Sequence, residues 1–182
     1  MKKDIQNLGS AGADGFVFGI LTEDGDVDKP GCQCLMDEVS QFNKPATFHR
    51  AIDMCRDPMS AVEDIISLNF TYILTSGQQK TALQGAELIR KMIEKFKHSI
   101  TIMPGSGVNS DNVRELIERT GATMFHGSGS CLVKSSMKYR VNNCQMGSDD
   151  SDEYSIKITN GDVIKEIIHN SAIMSISTAR SL

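Results

Sequence analysis

Four residues near the middle of the chain have side chains suited to chemistry. In "ATFHRAIDMCRDP", His49, Arg50, Asp53 and Cys55 sit among core-type residues Ala46, Phe48, Ala51 and Ile52. A histidine there offers a general base or a metal ligand. An arginine can hold a carboxylate or phosphate through two parallel hydrogen bonds. Asp53 could orient either one, or it could pair locally with Arg50 and tie a strand end to the next helix. Cys55, Met54 and Met59 offer soft sulfur that suits copper(I). The two methionines also suit core filling. Cys55 precedes a helix start, a position that can lower a thiol pKa.

Such residues act only where secondary structure brings them together. Five short apolar runs read as strands: "GFVFGIL" from Gly15, "ATFHRAI" from Ala46, "TYILTSG" from Thr71, "SITIMPGSG" from Ser99 and "ATMFHGSGS" from Ala122. Each ends in glycine or polar residues, as buried strands do. Helical patterns separate them. One runs from Pro30 to about Gln41. A second is capped by Asp57, with Pro58 in its first turn. A third spans Ala82 to Lys97, with Leu83, Ala86, Ile89, Met92, Ile93 and Phe96 on one face. A fourth is capped by Ser110 or Asp111 and closed by Gly121. The last covers about Asp162 to Met174.

Alternating strands and helices predict a parallel sheet covered by helices. The segment ahead of Gly15 reads as a helix arriving at a strand rather than a domain start. Residues 132–154 break the rhythm and read as a long loop after the last strand.

Alternation along the strands places Thr47 and His49 on one face and Phe48 on the other. Ile73 and Thr75 share a face, with Ser76 just beyond. Met124, His126 and Ser128 share another. Thr, His or Ser is therefore expected at the same level on three strands. Ligands of α/β sheets and barrels bind at the carboxyl ends of strands. Two glycine-rich turns, Pro104–Gly107 and His126–Ser130, follow adjacent strands. Glycine there lets the backbone approach an anion, and plain tight turns read equally well.

Composition narrows the classes. The chain has 182 residues, 40% hydrophobic and 23% charged, enough for one domain with a real core. A net charge of -4 with scattered lysines and arginines gives no electrostatic footprint for nucleic acid. No apolar run reaches the roughly 20 residues of a membrane span. The N-terminus lacks the apolar segment of a secretory signal. Five cysteines without Cys-x-x-Cys spacing predict free thiols in a reducing cytoplasm.

Several motifs together carry a specific resemblance. "GADGFVFGILTEDGDVD", "TFHRAIDMCRDP", "ILTSGQQKTALQG", "MPGSGV", and "MKYR" with the later "DEYS", resemble the CutC copper-homeostasis family in order and spacing. The resemblance implies a TIM-type (β/α)8 barrel. The chain would cover about five strand–helix units, strands four to eight, as an incomplete barrel in a single domain over 1–182. The first three units, with their Glu-Cys strand ends and Arg-Pro-Arg-Gly-Gly-Asp segment, are not found in it. The Gly-Ser-Gly after His126 also departs from the family pattern.

The resemblance further implies a cytoplasmic role in copper binding, tolerance or trafficking, with copper as the ligand and no established enzyme activity. On that reading His49, Arg50, Asp53, Thr75, Ser76, Gly105, Gly107, His126 and Ser128 line the mouth. The candidate copper ligands are His49, Cys55 and His126. Unpaired strand edges in a partial barrel invite a partner strand. A homo-oligomer, or association with a full-length family member, is expected. Two alternatives stay open: an enzyme acting on a small phosphorylated or carboxylated metabolite, and a shortened form that only associates with the full-length protein.

Overall fold

The computed structural model describes residues 1–141, 144 and 152–172. In chain order the elements are α1 (Lys2–Ser10), β1 (Phe16–Phe18), α2 (Lys29–Ser40), β2 (Ala46–Phe48), a short 3₁₀ helix (Arg50–Met54), α3 (Pro58–Ser67), β3 (Tyr72–Thr75), α4 (Ala86–Phe96), β4 (Thr101–Pro104), α5 (Val113–Thr120), β5 (Ser130–Lys134), β6 (Ser155–Thr159) and α6 (Gly161–Ala172). They divide into two compact units. The first holds Met1–Val108 and Asn112–Gly127; the second holds Asn109–Asp111 and the chain from Ser128 onward.

The first unit is built on a four-stranded parallel sheet in the order β1-β2-β3-β4. One face is packed against helices. Phe16, Phe18, Ala46, Phe48, Ile73, Thr75 and Ile102 all lie on it and are buried. Phe70 packs against Phe18 in a tilted contact and edge-on against Phe48, at centroid distances of 5.1 and 5.4 Å. Helix faces of Val62, Ile65, Ile89, Met92 and Leu116 complete this core. The opposite face carries Val17, Thr47, Tyr72, Leu74, Thr101 and Met103. Val17 there is 63% exposed.

The helices start where sequence chemistry allows. Asp57 caps α3 by accepting from the Met59 and Ser60 N–H groups, with Pro58 opening the helix. Asp28 caps α2 through the Gly31 N–H. Asp26 of "TEDGDVD" also has a structural role. Thr22 and Asp26 close a tight loop whose backbone turns at Gly25, with φ 81°. Arg56 then clamps the Asp26 carboxylate at 2.7 Å.

Three local expectations need correction. The strand from Ala122 shrinks to one parallel bridge, Gly105 to His126. Gly127 and Gly129 weaken it, and among the described residues it has no ladder beyond that bridge. α4 begins at Ala86 rather than Ala82, because residues 81–85 are spent on a turn. The loop expected over 132–154 is partly strand. Leu132–Lys134 belong to β5, which pairs antiparallel with β6. The end of the expected final helix lies outside the described residues.

In the second unit, α6 follows directly on β6. The Asn160 side chain caps α6 through the Asp162 and Val163 N–H groups. The "MKYR" and "DEYS" motifs meet here. The Arg140 guanidinium lies 3.9 Å from the Tyr154 ring centroid, and the Val141 N–H donates to the Tyr154 hydroxyl at 2.8 Å.

Candidate functional site

The C-terminal ends of β1 to β4 converge in the first unit, with His126 bridged beside β4. The most developed feature is a polar network around Asp53. Its carboxylate, in a side chain 6% exposed, sits under the end of β3. It accepts from Thr75 Oγ1 at 2.5 Å, the Ser76 N–H at 3.0 Å, Ser76 Oγ at 3.0 Å and the Gln78 N–H at 3.3 Å. Arg50 Nε donates to it at 2.7 Å. Arg50 then donates through Nη2 to Ser76 Oγ at 2.9 Å. Burial pushes the Asp53 pKa up, but the Thr75 hydroxyl, Arg50 and the backbone N–H donors outweigh it. The carboxyl is held below its ordinary value.

Arg50 and Asp53 therefore form the local pair, and that pair locks β2 to β3. Thr75 and Ser76 belong to this lock rather than to an open mouth. Both are fully buried. The register pairs Phe48 with Ile73, so Thr75 shares the helix-packed face and His49 lies on the other. The sequence pattern shows alternation within a strand but not which phase of β3 matches β2. The expected convergence of Thr75 with His49 is absent for that reason.

His49 is half-buried, on the inner face beside Thr47. Its Nδ1 accepts from the Ala51 N–H at 3.2 Å, so it caps the 3₁₀ helix. Gly19 lies against it. A Cβ there would be 2.9 Å from His49 Nδ1 and 2.9 Å from the Phe48 ring. Cys55 is buried beneath the Gln78 side chain, which donates to the Cys55 carbonyl at 2.6 Å. Burial first, then the Asp57 and Asp53 carboxylates, push its thiol up to about 11. The expected lowering by a helix start is reversed, because nearby acids and desolvation act against the thiolate.

The Gly105–Gly107 turn is strapped from β3's loop. Ser106 has φ 90°, its Oγ donates to the Lys80 carbonyl at 2.9 Å, and its own carbonyl accepts from the Ala82 N–H at 3.0 Å. A Cβ at Gly105 would be 2.6 Å from Leu74 Cδ1 and 3.3 Å from His126 Cβ. His126 is exposed. Ser128 belongs to the second unit, where its hydroxyl lies 2.9 Å from that of Ser130.

Two residues missed by the sequence reading complete the lock. Gln78 and Gly85 hold the turn after β3. A side chain at Gly85 would collide with the Ser76 carbonyl oxygen, and one at Gly77 with the Gly85 carbonyl. The signal was present as two glycines eight residues apart in "GQQKTALQG", without a way to know that they face each other.

Parallel strands in sequential order, with helices on one face and the other face open, form one arc of a (β/α) barrel. The CutC family profile matches residues 1–131. The chain belongs to the CutC family. It is 46% identical over 160 residues to the "Copper homeostasis protein cutC homolog" of Homo sapiens, covering 87% of this chain and 58% of that protein. A CutC family protein of Vibrio campbellii is 38% identical over 168 residues, covering 92% of this chain and 68% of the relative. The solved structure of CutC from Streptococcus agalactiae superposes with a TM-score of 0.65 at 27% identity, over 69% of this chain and 61% of that one. The chain thus spans less than two thirds of the human relative's length.

Proposed function

We propose that this chain serves copper homeostasis. The observation that carries the reading is the 46% identity over 160 residues with the human protein of that name. The family match over 1–131 runs through every strand end of the first unit. Five free thiols support a reducing cytoplasm as its place of work. Among the described residues no helix is long and apolar enough to cross a membrane.

The candidate copper ligands do not fit a preformed site. Among the described residues no three His, Cys, Asp or Glu side chains are grouped to hold a metal ion. The Cys55 thiol is buried, and the one His49 nitrogen with a defined partner is occupied. The proposed role is therefore in the cell's tolerance of copper. Complementation tests it. Cells lacking their own family member should regain growth in elevated copper when this chain is expressed. Unchanged copper sensitivity, at verified expression, would remove the reading.

We further infer self-association through the open β1 edge of the sheet. Among the described residues β1 pairs only with β2, and its Val17 is 63% exposed. An unpaired edge beside an exposed apolar side chain recruits another strand.

A further inference from the structure

We propose that Asn160–Gly161 is a site of spontaneous deamidation, and that the cap of α6 gates it. This is the chain's one Asn-Gly step. The reaction uses only the chain and water. The Gly161 nitrogen attacks the Asn160 side-chain carbonyl carbon, Cγ. A bond forms between them, the Cγ–Nδ2 bond breaks, and the amide leaves as ammonia with the proton that the Gly161 nitrogen gives up. Water then opens the cyclic imide. Cleavage of the new Cγ–N bond gives aspartate. Cleavage of the original peptide bond gives isoaspartate, with the main chain rerouted through the side chain. Glycine favours the attack because no side chain shields its nitrogen. Gly161 is exposed, and a Cβ on it would meet nothing within 4 Å.

The folded chain opposes this reaction, because every polar group of Asn160 is engaged. Its N–H donates to the Gly129 carbonyl at 2.9 Å, and its carbonyl accepts from the Ile164 N–H at 3.1 Å. Oδ1 accepts from the Asp162 N–H at 2.8 Å and the Val163 N–H at 3.4 Å. Nδ2 donates to Cys131 Sγ at 3.7 Å. The Oδ1 bonds hold the amide over the first turn of α6, and the Ile164 bond keeps the 160–161 peptide in the helix. Ring closure needs both to rotate. Reaction therefore waits for α6 to open at its N-terminal end.

The helix is held by few contacts. Ile167 is its buried residue. Ile164 rests on Gly129, where a Cβ would sit 2.5 Å from Ile164 Cγ1. Asn170 Nδ2 donates to the Ser110 carbonyl at 2.9 Å. The two products differ in effect. Aspartate keeps an acceptor at the cap and adds a negative charge where the helix dipole favours one. Isoaspartate lengthens the main chain between β6 and α6 and loses the cap, so a reversible opening becomes a permanent one. None of this depends on copper.

Timed incubation of the whole chain, followed by peptide mass spectrometry, tests the proposal through the mass gained when the Asn160 amide becomes a carboxyl. Conversion should be at least about tenfold slower in native buffer than in concentrated urea, since only opened molecules react. Ile167→Ala should speed the native reaction about tenfold and leave the urea rate unchanged. Asn170→Ala, which removes one hydrogen bond and no core, should speed it by less. Gly161→Ala should slow the reaction in both conditions, because a methyl group then crowds the attacking nitrogen. Equal rates in native buffer and urea, native rates unmoved by both Ile167→Ala and Asn170→Ala, or no conversion in urea would each overturn it.

Discussion

At the scale of single residues, Asp53 is the group on which the strand-end network depends. Its carboxylate accepts from two hydroxyls, two backbone N–H groups and one guanidinium. Asp53→Ala would leave those donors unmatched in a buried setting, and should cost about 3 kcal/mol of unfolding free energy. Arg50→Ala should cost only about 1 kcal/mol, because the side chain is 44% exposed and water replaces part of its role. Urea denaturation of both variants checks the order; equal losses would show that the ion pair, not the hydrogen-bonded cage, dominates.

The pH dependence follows from the same residue. The folded Asp53 pKa lies below its unfolded value, near 3.9 for a free aspartate. The unfolded chain therefore binds more protons in that range. Its stabilising contribution is complete above about pH 4 and lost as pH falls through the folded pKa. Acid unfolding of Asp53→Asn should show a shallower slope there than the parent. Cys55 gives the complementary expectation. With its thiol at about 11 and its side chain buried, it should react with a thiol reagent at pH 8 far more slowly than the exposed Cys34. Mass spectrometry of a timed alkylation would show the ranking, and early labelling of Cys55 would contradict it.

At the scale of elements, the glycines of "GQQKTALQG" show how a motif can be structural throughout. Gly77 and Gly85 face each other so that the end of β3 docks on the start of α4. Gly85→Ala forces a methyl into the Ser76 carbonyl and should cost about 3 kcal/mol, the upper range of overpacking. Gly121 closes α5 at φ 71° with open space around it, so Gly121→Ala should cost only about 1 kcal/mol through backbone strain. Thermal melts of the two variants separate collision from strain. The sequence showed Gly121 as a helix stop, whereas Gly85 fell inside the helix expected from Ala82 to Lys97. It could not show which one had a backbone pressed against it, since that contact joins two different elements.

At the scale of the whole molecule, the sheet leaves one face half open. Val17, Tyr72, Leu74 and Met103 lie on it, and β1 has a neighbour on one side only among the described residues. Self-association should appear as a concentration-dependent sedimentation coefficient. Val17→Lys places a charge on that edge and should shift the distribution toward the monomer. A single concentration-independent species would count against the reading.

The sequence alone determined the repeated strand–helix order, the Asp57–Pro58 start of α3, the Gly121 stop of α5 and the membership that its motifs imply. These are local signals, set by backbone preferences within a few residues. Tertiary structure decided the rest. The phase of β3 against β2 turned Thr75 away from His49, and the single bridge at His126 replaced a full strand. A cage of donors made Asp53 a structural anion, and burial, with neighbouring carboxylates, made Cys55 a reluctant thiolate. Each depends on register, burial or charge from a distant segment, and alternation within one strand carries no information about its partner.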